Sequence, residues 1–322
     1  MKLTNQQILS VTVGAVRTEQ TANGIRFYKC TSKQIDAWYA QNEVLGERAE
    51  TTTGIRLDFH TNSRHLTLRV AGGNKFEIYT DNLLQGQYLF DSIPEKEVTV
   101  DLTDPLGEPQ EETRVTLHLP SHSAGIIREI ELDDDSYIRP HTFDRKLLFI
   151  GDSITQGWAA SFDSFSFAYR VSRHYNAESV IQGIGGAYYH ESTFDTLPFD
   201  PDAVLIAYGT NDFGHYPTLD EFRSHVAAHL DLLVKEYAGK TFFVLSPIWR
   251  GHRDGKAMGS FRDCRGVVIE EAQKRNLIHI DGLKLVPPLP IFFQDEYLHP
   301  NDSGFSLYAE NLIVELEKHL PV

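Results

Sequence analysis

Cysteine is nearly absent. The 322 residues hold only Cys30 and Cys264, far apart and without the paired spacing of a metal site, which excludes a disulfide framework and a thiolate zinc centre. Long apolar runs are missing too: none approaches the ~20 residues that cross a bilayer. Met1-Lys2-Leu3-Thr4 opens no basic start followed by an apolar stretch, so no signal peptide is expected and the cytoplasm is the expected setting. Positive charge is in deficit, with 30 Lys and Arg against 45 Asp and Glu and a formal net charge of −15. Nucleic acid and anionic membrane surfaces would repel such a chain, so neither is an expected partner. Repeats and low-complexity segments are also lacking.

What is present divides into two textures. Up to about residue 142 the pattern has period two. Ile55, Leu57 and Phe59 alternate with Arg56 and Asp58, and Leu66, Leu68 and Val70 with Thr67 and Arg69, which predicts strands with one buried face. Further strands are expected at 75–80, 98–102, 115–119 and 126–132, with Ala71-Gly72-Gly73-Asn74 as a turn. Many short strands imply an all-β sandwich, or jelly roll, over residues 1–142. Asp133-Asp134-Asp135 and Arg139-Pro140 mark a polar junction.

From 143 to 322 the rhythm is strand, loop, helix, with apolar strands expected at 147–150, 177–182, 203–208, 241–246 and 277–280. A helix over 219–238 places Val226, Leu230, Leu233, Val234 and Tyr237 on one face, with Gly239 where a cap belongs. A last helix starts near Asn301 or Asp302. This alternation implies an α/β domain with a parallel sheet.

Leu147-Leu148-Phe149-Ile150-Gly151-Asp152-Ser153 is a short apolar strand ending in a tight turn. It presents Ser153 at the carboxyl edge of the sheet, where open α/β sheets place ligands. A serine hydroxyl needs a neighbouring base. His299, in Asp295-Glu296-Tyr297-Leu298-His299-Pro300, is the candidate, with a carboxylate nearby to orient its ring. Gly209-Thr210-Asn211-Asp212 follows the strand 203–208, and Gln182-Gly183-Ile184-Gly185-Gly186 follows the strand 177–182.

These blocks, in this order, resemble those of the GDSL, or SGNH, serine hydrolases, and most of all bacterial carbohydrate esterases with an N-terminal β domain. The resemblance implies a flavodoxin-like hydrolase domain and ester hydrolysis through an acyl-enzyme. The acyl group removed is expected to be small, such as acetyl, on a sugar or glycoside, so a small molecule or oligosaccharide ester is the partner. It also implies that Ser153 attacks, that His299 moves the proton, and that the Ser153 and Gly186 N–H groups and the Asn211 side chain bind the oxyanion. No metal or organic cofactor is expected. The family carries an aspartate three residues before the histidine, whereas here that position is Glu296 and the aspartate is Asp295. Glu296 is preferred by register, with Asp295 or a Ser–His dyad as alternatives. The same machinery would serve an acyltransferase, and a third reading is a carbohydrate-binding protein with weak hydrolase activity.

Trp249 follows the strand 241–246 and is a candidate aromatic wall for substrate, with Arg250 and Arg253 beside it. His225, His229 and Glu236 share a helical face but lack a metal-binding pattern, and are expected to be a solvated polar face. Gly183 to Gly186 lacks the spacing of a phosphate loop.

Overall fold

The computed structural model describes residues 1–92, 96–103 and 111–321. Three sheets organise them. The parallel sheet runs in the order Ala177–Gly183, Arg145–Gly151, Ala203–Ala207, Thr241–Leu245, Ile278–Ile280. In chain order this is 2-1-3-4-5, the flavodoxin-like arrangement. The strands Arg145–Gly151, Ala203–Ala207 and Thr241–Leu245 are apolar almost throughout because helices cover both faces. Leu219–Glu236 and Phe261–Lys274 pack on one side, Phe167–His174 and Asp302–Leu316 on the other.

The N-terminal part is a β-sandwich of two antiparallel sheets. One orders Thr12–Val13, Arg56–Thr61, Thr113–His118, Lys75–Thr80 and Leu83–Leu89, with Arg139–Pro140 pairing onto Arg56–Thr61. The other orders Arg17–Thr21, Gly24–Tyr28, Ile126–Leu132, His65–Gly72 and Glu97–Asp101. Ile55, Leu57, Phe59, Leu66, Leu68 and Ile130 lie in the core between them.

Two features depart from the sequence expectation. The polar positions of Arg56–Thr61 are not solvated: Arg56 is 2% and Asp58 1% exposed. This face lies against the parallel sheet, where Arg56 Nη2 donates to the Ala177 carbonyl at 2.9 Å. Asp58 is held between Arg56 and Arg114. Charges buried at this junction are tolerable because they are paired and hydrogen-bonded. Second, the helices Ser32–Gln41 and Glu43–Ala49 interrupt the β pattern. Their Ile35, Trp38, Leu45 and Ala49 share one core with Leu148, Val180 and Val204 of the parallel sheet. The apolar interior therefore crosses the boundary expected near residue 142. Among the described residues, no helix is long and apolar enough to cross a membrane.

Candidate active site

Register brings the site together. Gly151 pairs with Gly183 on one side and with Ala207 on the other, so three strands end at one level. Ser153, Gly186 and Asn211 follow two, three and four residues beyond that level. After Gly151 the chain turns at Asp152, whose Oδ1 accepts the Ile154 N–H at 2.9 Å and caps the short helix Ser153–Gln156. That helix sits hard on the neighbouring strand. A Cβ at Gly183 would come within 2.3 Å of the Gln156 nitrogen, so only glycine permits the approach. Ser153 is 5% exposed.

The Ser153 Oγ lies 2.9 Å from His299 Nε2. His299 Nδ1 lies 2.7 Å from Asp295 Oδ2. Asp295 Oδ1 accepts the N–H groups of Tyr297 (3.2 Å), Leu298 (2.7 Å) and His299 (3.0 Å). Partial burial pulls this carboxyl upward, but the His299 and Leu298 N–H groups, the His299 ring and the Tyr297 N–H outweigh it. They hold Asp295 below the usual carboxylate range. Glu296, preferred by register, is not the partner. It is exposed and adopts a left-handed backbone with φ 64°. The turn it makes is compact enough for the shorter side chain, one residue further back, to meet the ring. The last helix begins directly after, with Asn301 Oδ1 accepting the Gly304 N–H at 3.0 Å.

The glycine and asparagine blocks are held from both sides. The Gly185 N–H donates to Gln156 Oε1 at 2.7 Å, while the Gly186 N–H has no acceptor among the described residues. Gly186 takes φ 86°, a conformation suited to glycine. Asn211 Nδ2 donates to the Ala187 carbonyl at 2.9 Å, which fixes the amide and leaves its second N–H free. Asp212 accepts the Tyr189 and Gly209 N–H groups, each at 2.9 Å, and ties the two blocks together. Burial pushes both Asp152 and Asp212 up to about 7.

Sequence reasoning missed the residues at the mouth. Gly157 ends the short helix in a left-handed turn. Beyond it Trp158 is exposed, its ring 6.4 Å from that of His299. Arg48 and His122, from the N-terminal half, flank it at 4.6 Å and 5.0 Å. Nothing in the local sequence around Arg48 or His122 signals this, because tertiary packing alone brings them here. Lys29 anchors the segment: buried completely, it donates to the Arg48 and Thr51 carbonyls at 2.8 and 3.1 Å. Burial pulls its ammonium down to about 8.

Trp249 packs on Phe293, with ring centroids 5.1 Å apart. It lines a cleft of about 700 Å³ together with Arg253, Phe261, Arg262 and Arg265, and neither Ser153 nor His299 lines that cleft. Arg250 is committed to structure, donating to the Thr210 carbonyl at 2.8 Å.

The expected solvated face of the helix Leu219–Glu236 is corrected in part: Glu236 is exposed, but His229 is not. His229 is 3% exposed and its Nδ1 lies 3.1 Å from the His190 carbonyl. Burial pulls its imidazole down to about 4, so it is neutral and donates there. His225 pairs with Glu191 at 2.7 Å. His190, Glu191 and His225 are close enough together to suggest a cation site. However, the two imidazoles stack at 4.8 Å with planes 24° apart, so their lone pairs run side by side instead of converging on one point.

A hydroxyl, an imidazole and a carboxylate in line at the carboxyl edge of a flavodoxin-ordered sheet define a serine acylhydrolase. Residues 149–307 match the model of the GDSL-like Lipase/Acylhydrolase family. No curated protein sequence matches the chain. Solved structures resemble it over nearly its whole length. The salicylyl-acyltransferase SsfX3 from a tetracycline biosynthetic pathway is 18% identical, with a TM-score of 0.81 over 97% of this chain and 95% of that one. A family two carbohydrate esterase from Clostridium thermocellum, in complex with cellohexaose, is 16% identical, with a TM-score of 0.67 over 96% and 99%. The acetyl xylan esterase Est2A from the rumen bacterium Butyrivibrio proteoclasticus is 13% identical, with a TM-score of 0.60 over 83% and 90%. At such identities the likeness establishes the fold, sandwich included.

Proposed function

We propose that the protein is a serine esterase that removes a small acyl group, most simply acetyl, from a carbohydrate or glycoside. The observation that carries the reading is the line Ser153 Oγ–His299 Nε2 at 2.9 Å and His299 Nδ1–Asp295 at 2.7 Å. His299 takes the Ser153 proton as the oxygen attacks the ester carbonyl. The resulting oxyanion is met by the Ser153 and Gly186 N–H groups and the free N–H of Asn211. His299 then returns the proton to the leaving alcohol, and the acyl group stays on Ser153. Water, deprotonated by the same imidazole, releases the acid and restores the serine. Asp295 holds the imidazole in the tautomer that each step needs. The carbohydrate part of the reading is supported by the family two carbohydrate esterases and the acetyl xylan esterase that share the fold. The same reading keeps the cytoplasm as its setting, where the two unpaired thiols stay reduced.

A second reading, acyl transfer, is favoured by the likeness to the salicylyl-acyltransferase. It differs only in the nucleophile that attacks the acyl-enzyme. A fluorophosphonate probe should label Ser153 and no other serine. Acetylated sugars and p-nitrophenyl acetate should then be hydrolysed by the wild type and not by Ser153→Ala. Labelling elsewhere, or hydrolysis surviving Ser153→Ala, would reject the esterase reading. Added acceptor alcohols that divert the acyl group from water would decide for transfer.

A further inference from the structure

The half-buried arginines fall into two groups. Arg114, Arg223, Arg265 and Arg275 each face a carboxylate within 4.0 Å. Among the described residues, Arg48, Arg145, Arg170 and Arg250 face none; the last three donate to the Pro321, Phe165 and Thr210 carbonyls. Arg48 differs from those three in its place, beside the glycine block and the Trp158 ring. Nη1 donates to the Gly185 carbonyl at 2.9 Å. The same atom lies 3.2 Å from where a Cβ on Gly186 would stand. The guanidinium carbon sits 4.6 Å from the centroid of the Trp158 ring, itself beside His299.

A guanidinium carries five N–H donors in a rigid planar fork, and one such donation, to Gly185, is accounted for here. The stack on Trp158 and the bond to Gly185 fix the plane, so the remaining donors are preorganised. Such a fork matches a carboxylate with two parallel charge-assisted hydrogen bonds. Phosphate shares the fork chemistry, but a dianion is repelled more strongly than a monoanion by the negative protein around it.

We propose that Arg48 is a specificity-determining residue that binds a carboxylate carried by the ester substrate, so that the acyl group is removed from, or is itself part of, an organic acid. The inference rests on the esterase reading and narrows its substrate class to acidic esters. It also gives the N-terminal half a direct part in the active site: the helix Glu43–Ala49 supplies a substrate contact that the hydrolase domain lacks.

The test compares two matched pairs of esters on the full-length protein. In one pair the charge is on the acyl arm (p-nitrophenyl hemisuccinate against p-nitrophenyl butyrate). In the other it is on the alcohol arm (4-acetoxybenzoate against 4-acetoxybenzamide). Intrinsic reactivity cancels when the anionic-to-neutral ratio of kcat/KM is compared between variants. Arg48→Gln should lower that ratio about tenfold or more in at least one pair, chiefly through KM. Arg48→Lys should keep part of the preference, since it keeps the charge and loses the fork. If both members of each pair fall together, Arg48 merely holds Gly185 and the proposal is wrong. Should Arg48→Gln fail to fold, the wild type still decides. Its anionic-to-neutral ratio must fall as salt is raised in one pair, and a salt-independent ratio in both overturns the proposal. If the wild type hydrolyses none of the four esters, the esterase reading fails and takes this inference with it. Turnover without discrimination removes the inference alone.

Discussion

Asp295 Oδ2 lies 2.7 Å from His299 Nδ1, four residues away along a single turn of chain. The other oxygen of the same carboxylate gathers three successive backbone N–H groups, from Tyr297 to His299. One side chain thus builds the turn and orients the imidazole. A substitution at this position therefore acts on geometry and on electrostatics together. Glu296 bends the chain through its left-handed backbone, and its own carboxylate points to solvent.

Asp295→Asn should consequently be far more damaging than Glu296→Gln. An amide at 295 either offers its oxygen to the three N–H groups and its NH₂ to the ring, or does the reverse, and neither preserves both sets of bonds. The ring is then stabilised in the wrong tautomer, a change that costs about 10⁴ in kcat in a Ser-His-Asp triad of the chymotrypsin type. Here a loss on the order of 10²–10⁴ is expected, with Glu296→Gln within a few-fold of wild type. Steady-state kinetics on both variants checks this, and an equal or larger loss for Glu296→Gln would reverse the assignment.

Asn211→Ala should reduce kcat by about 10²–10³ with KM little changed, because the free N–H strengthens its bond only as the oxyanion develops. The variant also removes the donation to the Ala187 carbonyl. Its melting temperature must therefore be measured beside its kinetics, to separate loss of a donor from movement of the loop. A folded variant with near-normal kcat would exclude Asn211 from the oxyanion site.

Much of this was legible in the sequence, for identifiable reasons. The apolar strand before Ser153 could only be buried, and the parallel register then carried Gly186 and Asn211 to the same edge. The choice between Asp295 and Glu296 was not legible, since it depends on the sign of one backbone dihedral. Nor was the burial of Arg56, Asp58 and His229. Period-two and helical patterns distinguish apolar from polar, but not a polar face in water from one sealed against another layer by hydrogen bonds. Arg48 was out of reach for a third reason. Its role comes from a helix docking across the two halves, more than a hundred residues from the Trp158 ring on which it stacks.

The paired buried carboxylates behind the site give the last prediction. Burial raises Asp152 and Asp212 from an ordinary 3.8 to about 7, and Asp212 adds repulsion at Asp152. Between those values the folded state binds more protons than the unfolded one. These two groups therefore make stability fall as pH rises from about 4 to about 7, with no further change from them above that. The same substitution should have different effects at the two positions. Asp152 uses one oxygen to cap Ile154, and an asparagine oxygen can do the same without a buried charge. Asp152→Asn should therefore melt higher than wild type at pH 8.5 and lose most of that advantage near pH 5. At Asp212 both oxygens accept backbone N–H groups, so an asparagine must set its NH₂ against one of them. Asp212→Asn should be destabilised by about 1–3 kcal/mol near pH 5, as expected for a buried donor left unpaired, and by less at pH 8.5, where the wild type carries the buried charge. Thermal melts of the two variants at both pH values decide the matter. A lower melting temperature than wild type for Asp152→Asn at pH 8.5 would show that burial does not penalise the Asp152 carboxylate, and would overturn the raised value.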